Sequence, residues 1–155
     1  MSFNPLAQSG FTGSFSKAGL KIGSTPAQVA TDAPDGTGIN FAINGVAYYK
    51  VDDATATITA AAAQAADTTC LYLIQVDSSS TISSVKGNEV LTANLGVNDS
   101  CQIPTPAVDY CPIGYIKVVT VAVTFTAATT DLDASGVTTT YVDFLGGIGN
   151  APVVS

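Results

Sequence analysis

Two residues, Asn44 and Gly45, sit in the middle of INFAINGVAYYKV (residues 39–51) and commit the chain to reverse direction there. A two-residue type I′ turn needs positive φ at both central positions, which Asn and Gly accept at least cost. The flanks alternate, so the turn predicts a hairpin pairing Ile43 with Val46, Phe41 with Tyr48 and Ile39 with Lys50. Those pairs share one face, while Asn40, Ala42, Ala47 and Tyr49 fall on the other. Phe41 opposite Tyr48 is a favourable cross-strand pair, of order 0.2–1 kcal/mol.

The rest of the chain is written in the same language. In CLYLIQVD (residues 70–77), Cys70, Tyr72, Ile74 and Val76 share one face, and Leu71, Leu73, Gln75 and Asp77 the other. A serine turn leads to TISSVK, polar enough to read as a strand near an edge. IGYIKVVTVAVTFT (residues 113–126) reads as one long strand. Strict alternation puts Ile113, Tyr115, Val119, Val121, Val123 and Phe125 on one side of it, and Ile116, Val118 and Ala122 on the other. A strand apolar on both sides is central, or is covered by a second sheet or a neighbouring chain. In a chain this small, that pattern leads to the expectation of a homo-oligomer, a homotrimer first among them. TATIT (55–59) reads as a short strand, AAAAQAAD (60–67) as a turn or one helical turn, AATTDLDASG as a turn and VTTTYVDF as a last strand. Residues 92–112 form a long, Pro-containing connection, and such a loop is usually functional or interfacial. Seven or eight short strands joined by turns predict an all-β protein, an antiparallel β-sandwich or barrel-like domain.

Composition removes several classes of function. Five Lys, no Arg, eleven Asp and one Glu give a net charge of −7. Without Arg the chain cannot make bidentate phosphate or guanine contacts, and its charge repels a polyanion, so nucleic acid is not an expected partner. The same charge argues against an anionic membrane surface. MSFNPLAQSG has neither a basic start nor an apolar run, and no stretch approaches ~18 apolar residues. A soluble protein made in the cytoplasm is expected. His is absent, which removes the commonest general base and metal ligand near neutral pH.

The remaining chemical candidates are weak. DLDASG places Asp131, Asp133 and Ser135 before Gly136 like the opening of a calcium loop, but Val142 stands where a bidentate Glu is needed. Asp52 and Asp53 read as turn carboxylates at a strand end. Three cysteines, Cys70, Cys101 and Cys111, match no zinc site. A disulfide between Cys101 and Cys111 would close a short loop, although free thiols are the expectation without a secretory signal. GGIG precedes no helix, so it does not read as a phosphate loop. No enzyme activity and no cofactor are expected.

By segment, residues 1–38 read as an extended N-terminal arm, 39–144 as the β domain and 145–155 as a flexible C-terminal tail. The arm has no period, yet holds Phe3, Phe11 and Phe15, three of the six Phe residues. Disordered tails are normally poor in aromatics. These three rings are therefore the candidate partner-binding residues.

Four passages bear a family likeness: INGVAYYK at 43–50, AADTTCLYL at 65–73, PIGYIKV at 112–118 and TYVDF at 140–144. With their surroundings they resemble small structural proteins of tailed bacteriophages, and among these capsid decoration (cement) proteins. The resemblance covers about residues 39–144 and carries no catalytic residue. It implies a non-enzymatic virion protein on the capsid surface, binding the major capsid protein or neighbouring virion subunits and itself as a homotrimer. A tail or head-fibre component contacting a host receptor or glycan is the alternative, and a calcium-dependent adhesion module a third.

Overall fold

The computed structural model describes residues 10–146. Among these residues nine strands follow in chain order: β1 (Gly13–Ser14), β2 (Lys21–Ile22), β3 (Val29–Ala30), β4 (Gly38–Ile43), β5 (Val46–Val51), β6 (Thr68–Asp77), β7 (Ile82–Leu91), β8 (Tyr110–Thr120) and β9 (Val137–Asp143). All pair antiparallel, as a three-stranded sheet β1-β4-β5, a small ribbon β2-β3 and a four-stranded sheet β7-β6-β8-β9. The one helical turn among the described residues is 3-10, Thr92–Asn94. No helix of the described residues is long and apolar enough to cross a membrane.

The hairpin forms as its turn dictates. Asn44 has φ 51° and Gly45 φ 82°, and Ile43 meets Val46, Phe41 meets Tyr48 and Ile39 meets Lys50. The Phe41 and Tyr48 rings stack with centroids 5.6 Å apart. Ile39, Phe41 and Ile43 point inward and meet Cys70, Tyr72, Ile74 and Val76 of β6 in one core. Two facing sheets thus make a sandwich, and β6 is split between its faces as alternation predicts. β7 is an edge strand, also as predicted.

β8 departs from the expected alternation. Pro112 lies opposite Gln75 and Gly114 opposite Ile74, so Ile113 between them is an extra residue, a β-bulge. Proline has no N–H to give the ladder, which makes this a natural place for one. The bulge inverts the parity beyond it: Ile113 faces the main core with Ile116 and Val118, whereas Tyr115 faces the opposite side. The strand also stops at Thr120 instead of running to 126, and Ala122 takes a left-handed φ of 54°. Phe125 still reaches the core, where its ring meets Tyr72 edge-on at 5.7 Å.

The outer side of the four-stranded sheet is covered by the chain itself. Leu71, Leu73, Tyr115 and Phe144 are buried there under Cys101 and Ile103 of the long connection. That connection is tied down by Gln102 N–H on Asn88 Oδ1 (2.8 Å) and Ala107 N–H on Gln75 Oε1 (2.9 Å). The two-sided apolar strand therefore needs no neighbour, and the motive for a homotrimer drawn from it falls away.

From Gly10 on, the segment expected as an arm is part of the domain. β1 pairs with β4, and Ala18, Leu20 and Val29 are buried in the main core. Leu20 N–H donates to Asp143 Oδ1 at 2.9 Å, joining residues far apart in sequence. At the other end Gly146 bridges Ser14, so the start of the expected tail also belongs to the sheet. TATIT supplies only a bridge, Ala56 to Val29. The alanine run is irregular and holds a fully buried Gln64. Its amide donates to the Thr68 and Val118 carbonyls, both at 3.1 Å, and accepts from the Tyr72 hydroxyl at 3.2 Å.

Candidate interaction surface

The outer face of the three-stranded sheet differs from every other face of the sandwich. Period two sends Ser14, Phe41 and Tyr48 inward and leaves three cross-strand rows outside: Gly13–Ala42–Ala47, Phe15–Asn40–Tyr49 and Gly38–Val51. The first row is small throughout. With no side chain at Gly13, the Phe11 and Phe15 rings on either side of it close together, stacked at 5.4 Å and 27°. Both stay about half exposed, at 47% and 56%.

On the far strand Tyr49 lies over Gly38, where a Cβ would stand 2.8 Å from its ring carbon Cζ. The Tyr49 hydroxyl shares a 3.1 Å hydrogen bond with Thr37 Oγ1, which holds the ring there. Val51 is 62% exposed. The antiparallel bridge of Ser14 to Gly146 sets Leu145, also exposed, beside Phe15. No charged residue occupies any of these positions. Lys50, of opposite parity, turns away to Asp53 at 3.2 Å. Charge appears only at the borders: Lys17 follows the bend after β1, and Asp109 accepts from the Asn44 amide at 2.8 Å at the turn end. Beside that end lies a groove of about 290 Å³ lined by Thr12, Ile103, Pro104, Thr105, Pro106 and Pro112, and no charged side chain lines it.

Of the three predicted contact residues, Phe11 and Phe15 come together on this face, and Phe3 lies outside the described residues. Val51 and Leu145 were missed, although the parity of VAYYKV already put an uncharged row outside.

The other candidates have structural occupations. Asp52 Oδ1 accepts from Ala33 N–H at 2.9 Å. The Asp53 carboxyl is held below its ordinary range by the Thr55 N–H, with Lys50 assisting. Around Asp131 the chain makes a backbone turn, with Ala134 N–H on the Asp131 carbonyl at 3.1 Å. Among the described residues no three acidic, His or Cys side chains gather as a metal would require. All three cysteines are free thiols. Cys111 lies in the main core and Cys101 on the opposite side of the sheet, so the short-loop disulfide is excluded by position. Burial pushes the Cys70 thiol up to about 11 and that of Cys111 to about 12, which makes both poor nucleophiles.

The chain matches no family model, no curated protein and no solved structure.

Proposed function

We propose that this protein is a non-enzymatic structural component of a phage particle that binds the assembled capsid and stabilises it as a decoration protein. The observation that carries the reading is the uncharged, largely apolar outer face of the three-stranded sheet. It is displayed by an acidic domain whose other sheet has its outer side already covered. A contiguous exposed apolar patch rimmed by polar residues marks an interaction surface, for a protein or a membrane, and the net charge of −7 argues against an anionic membrane. Phe11 and Phe15 are its aromatic anchors, the residue type that dominates binding energy in such patches. Phe3 joins them as the third candidate, and the capsid protein or a neighbouring virion subunit is the partner. A protein that binds only the assembled shell stabilises that shell by mass action, by about 2.7 kcal/mol per site at a hundredfold excess over Kd.

The test is to mix purified protein with undecorated shells, sediment them and count copies per particle. Occupancy in the hundreds with raised shell melting temperature is the expected result. A dozen copies or fewer would move the protein to the tail, and no binding to any part of the particle would overturn the proposal.

A further inference from the structure

We infer that the outer face of the three-stranded sheet is where two copies of this chain pair, sheet against sheet about a two-fold axis. The inference rests on reading this face as a protein–protein surface: pairing is its use in the free protein, and docking on a shell through the same face requires the pair to separate.

Charge is the first ground for choosing a second copy. Each copy carries −7 overall. Two identical acidic chains repel wherever their carboxylates approach, so they can meet closely only through a face without charge. The rows Gly13–Ala42–Ala47, Phe15–Asn40–Tyr49 and Gly38–Val51 form such a face. A cationic partner would be recognised instead by the carboxylates elsewhere on the surface.

Shape is the second ground. The Phe11–Phe15 stack projects beside β1 as a ridge, while in the neighbouring row Gly13 and Ala42 are buried and Ala47 is exposed but short, so the surface steps down from rings to a single methyl. A two-fold axis lying between the two sheets and parallel to them sets each copy's ridge against the other's low strip at Ala47, which makes the face complementary to itself. Stacked sheets pack about 10 Å apart, a spacing that a layer of flat aromatic rings and methyl groups fills. A three-fold ring would need a second, different patch on the same copy to receive this one.

Area is the third ground. Phe11, Phe15, Tyr49, Val51 and Leu145 are each roughly half or more exposed, which leaves on the order of 500 Å² of apolar surface on each copy. Face-to-face pairing then buries about 1,000 Å² in total, at the lower bound for a specific interface and consistent with a micromolar Kd.

The test is the mass of the full chain in solution, by sedimentation equilibrium over a concentration series up to roughly 100 µM, spanning the expected affinity. The expected result is a monomer–dimer equilibrium ending at twice the 15.6 kDa chain mass. It tightens as salt rises, because salt screens the repulsion between two acidic copies. Tyr49→Lys weakens it about tenfold or more, since pairing would bury an unmatched ammonium. Val121→Lys, at another exposed apolar position, leaves it unchanged. The chain has no Trp, so Tyr49→Trp gives one reporter whose emission shifts to the blue as dimer forms. Circular dichroism on each variant shows that the sheet is intact. A monomer throughout the series, a trimer, a dimer loosened by salt, or a dimer that survives Tyr49→Lys would each overturn the inference. Shell binding by a strictly monomeric protein would refute the pairing and leave the capsid proposal standing. A dimer that binds no shell would do the reverse.

Discussion

Replacing Gln64 with Leu should cost the domain more than any other single polar-to-apolar change of similar size. The Gln64 amide ties an irregular segment to both central strands through three hydrogen bonds, with no exposure to water. Leu roughly keeps the volume and removes all three bonds. The Thr68 carbonyl keeps a second donor, Thr120 Oγ1 at 3.2 Å, so its loss is partly offset. The Val118 carbonyl and the Tyr72 hydroxyl lose a side-chain partner in the interior, and an unsatisfied buried polar group costs about 1–3 kcal/mol. The expected loss is therefore about 2–4 kcal/mol. For a chain of this length that lowers the melting temperature by roughly 4–16 °C. Urea unfolding should show a lower midpoint with unchanged slope, because the surface exposed on unfolding is the same. Adding Tyr72→Phe removes the stranded hydroxyl, so the double variant should be more stable than the sum of the two losses implies. A loss below about 1 kcal/mol for Gln64→Leu would refute the network, since it would place these groups in contact with water.

Gly114→Ala should be among the most damaging small changes, abolishing folding or soluble yield, because its Cβ would stand 2.3 Å from the Val142 carbonyl oxygen. Titration with a thiol reagent at pH 8 should find Cys101 reacting first, with Cys70 and Cys111 protected until the domain unfolds, since burial holds their thiols protonated at that pH. Acid should destabilise the fold through Asp53 and Glu89, whose carboxyls are both lowered in the folded state from ordinary values of 3.8 and 4.5. For Glu89 burial pulls the other way, and the Ala65 N–H with Lys86 more than offsets it. A lowered folded pKa contributes stability above the unfolded value that is lost as pH falls through the folded one, so melting temperature should drop below about pH 4.5 and continue down past 3.8. An acid limb that is unchanged in Asp53→Asn and Glu89→Gln would contradict this.

The hairpin and the two faces of β6 were legible because their signals are local: Asn44-Gly45 fixes one register, and unbroken alternation fixes the other. β8 was legible as a strand but not in its facing. Pro112 and the extra Ile113 shift the parity, and nothing in VVTVAVTF announces that the chain bends away after Thr120. The early segment failed for a different reason. Its strands are two residues long, too short to carry a period, and they are held by partners such as Asp143 and Gly146 more than a hundred residues later. The candidate face was half visible. Parity marked its residues as uncharged, but only the assembled sheet shows that Gly13 lets two rings close over it and that Leu145 arrives from the far end of the chain.

The bridge between Ser14 and Gly146 also sets the order in which the molecule can be made. Its partners are 146 − 14 = 132 residues apart. Closing a flexible loop of that length costs about 4 kcal/mol in chain entropy beyond a constant, which one pair of hydrogen bonds cannot offset on its own. β1 therefore leaves the ribosome first in this domain and completes its pairing last, after β6 and β8 have joined and drawn the two ends together. Such long-range closure places the chain among slowly folding β proteins. It also makes the Phe11–Phe15 side of the sheet the last surface to be finished on a newly made copy.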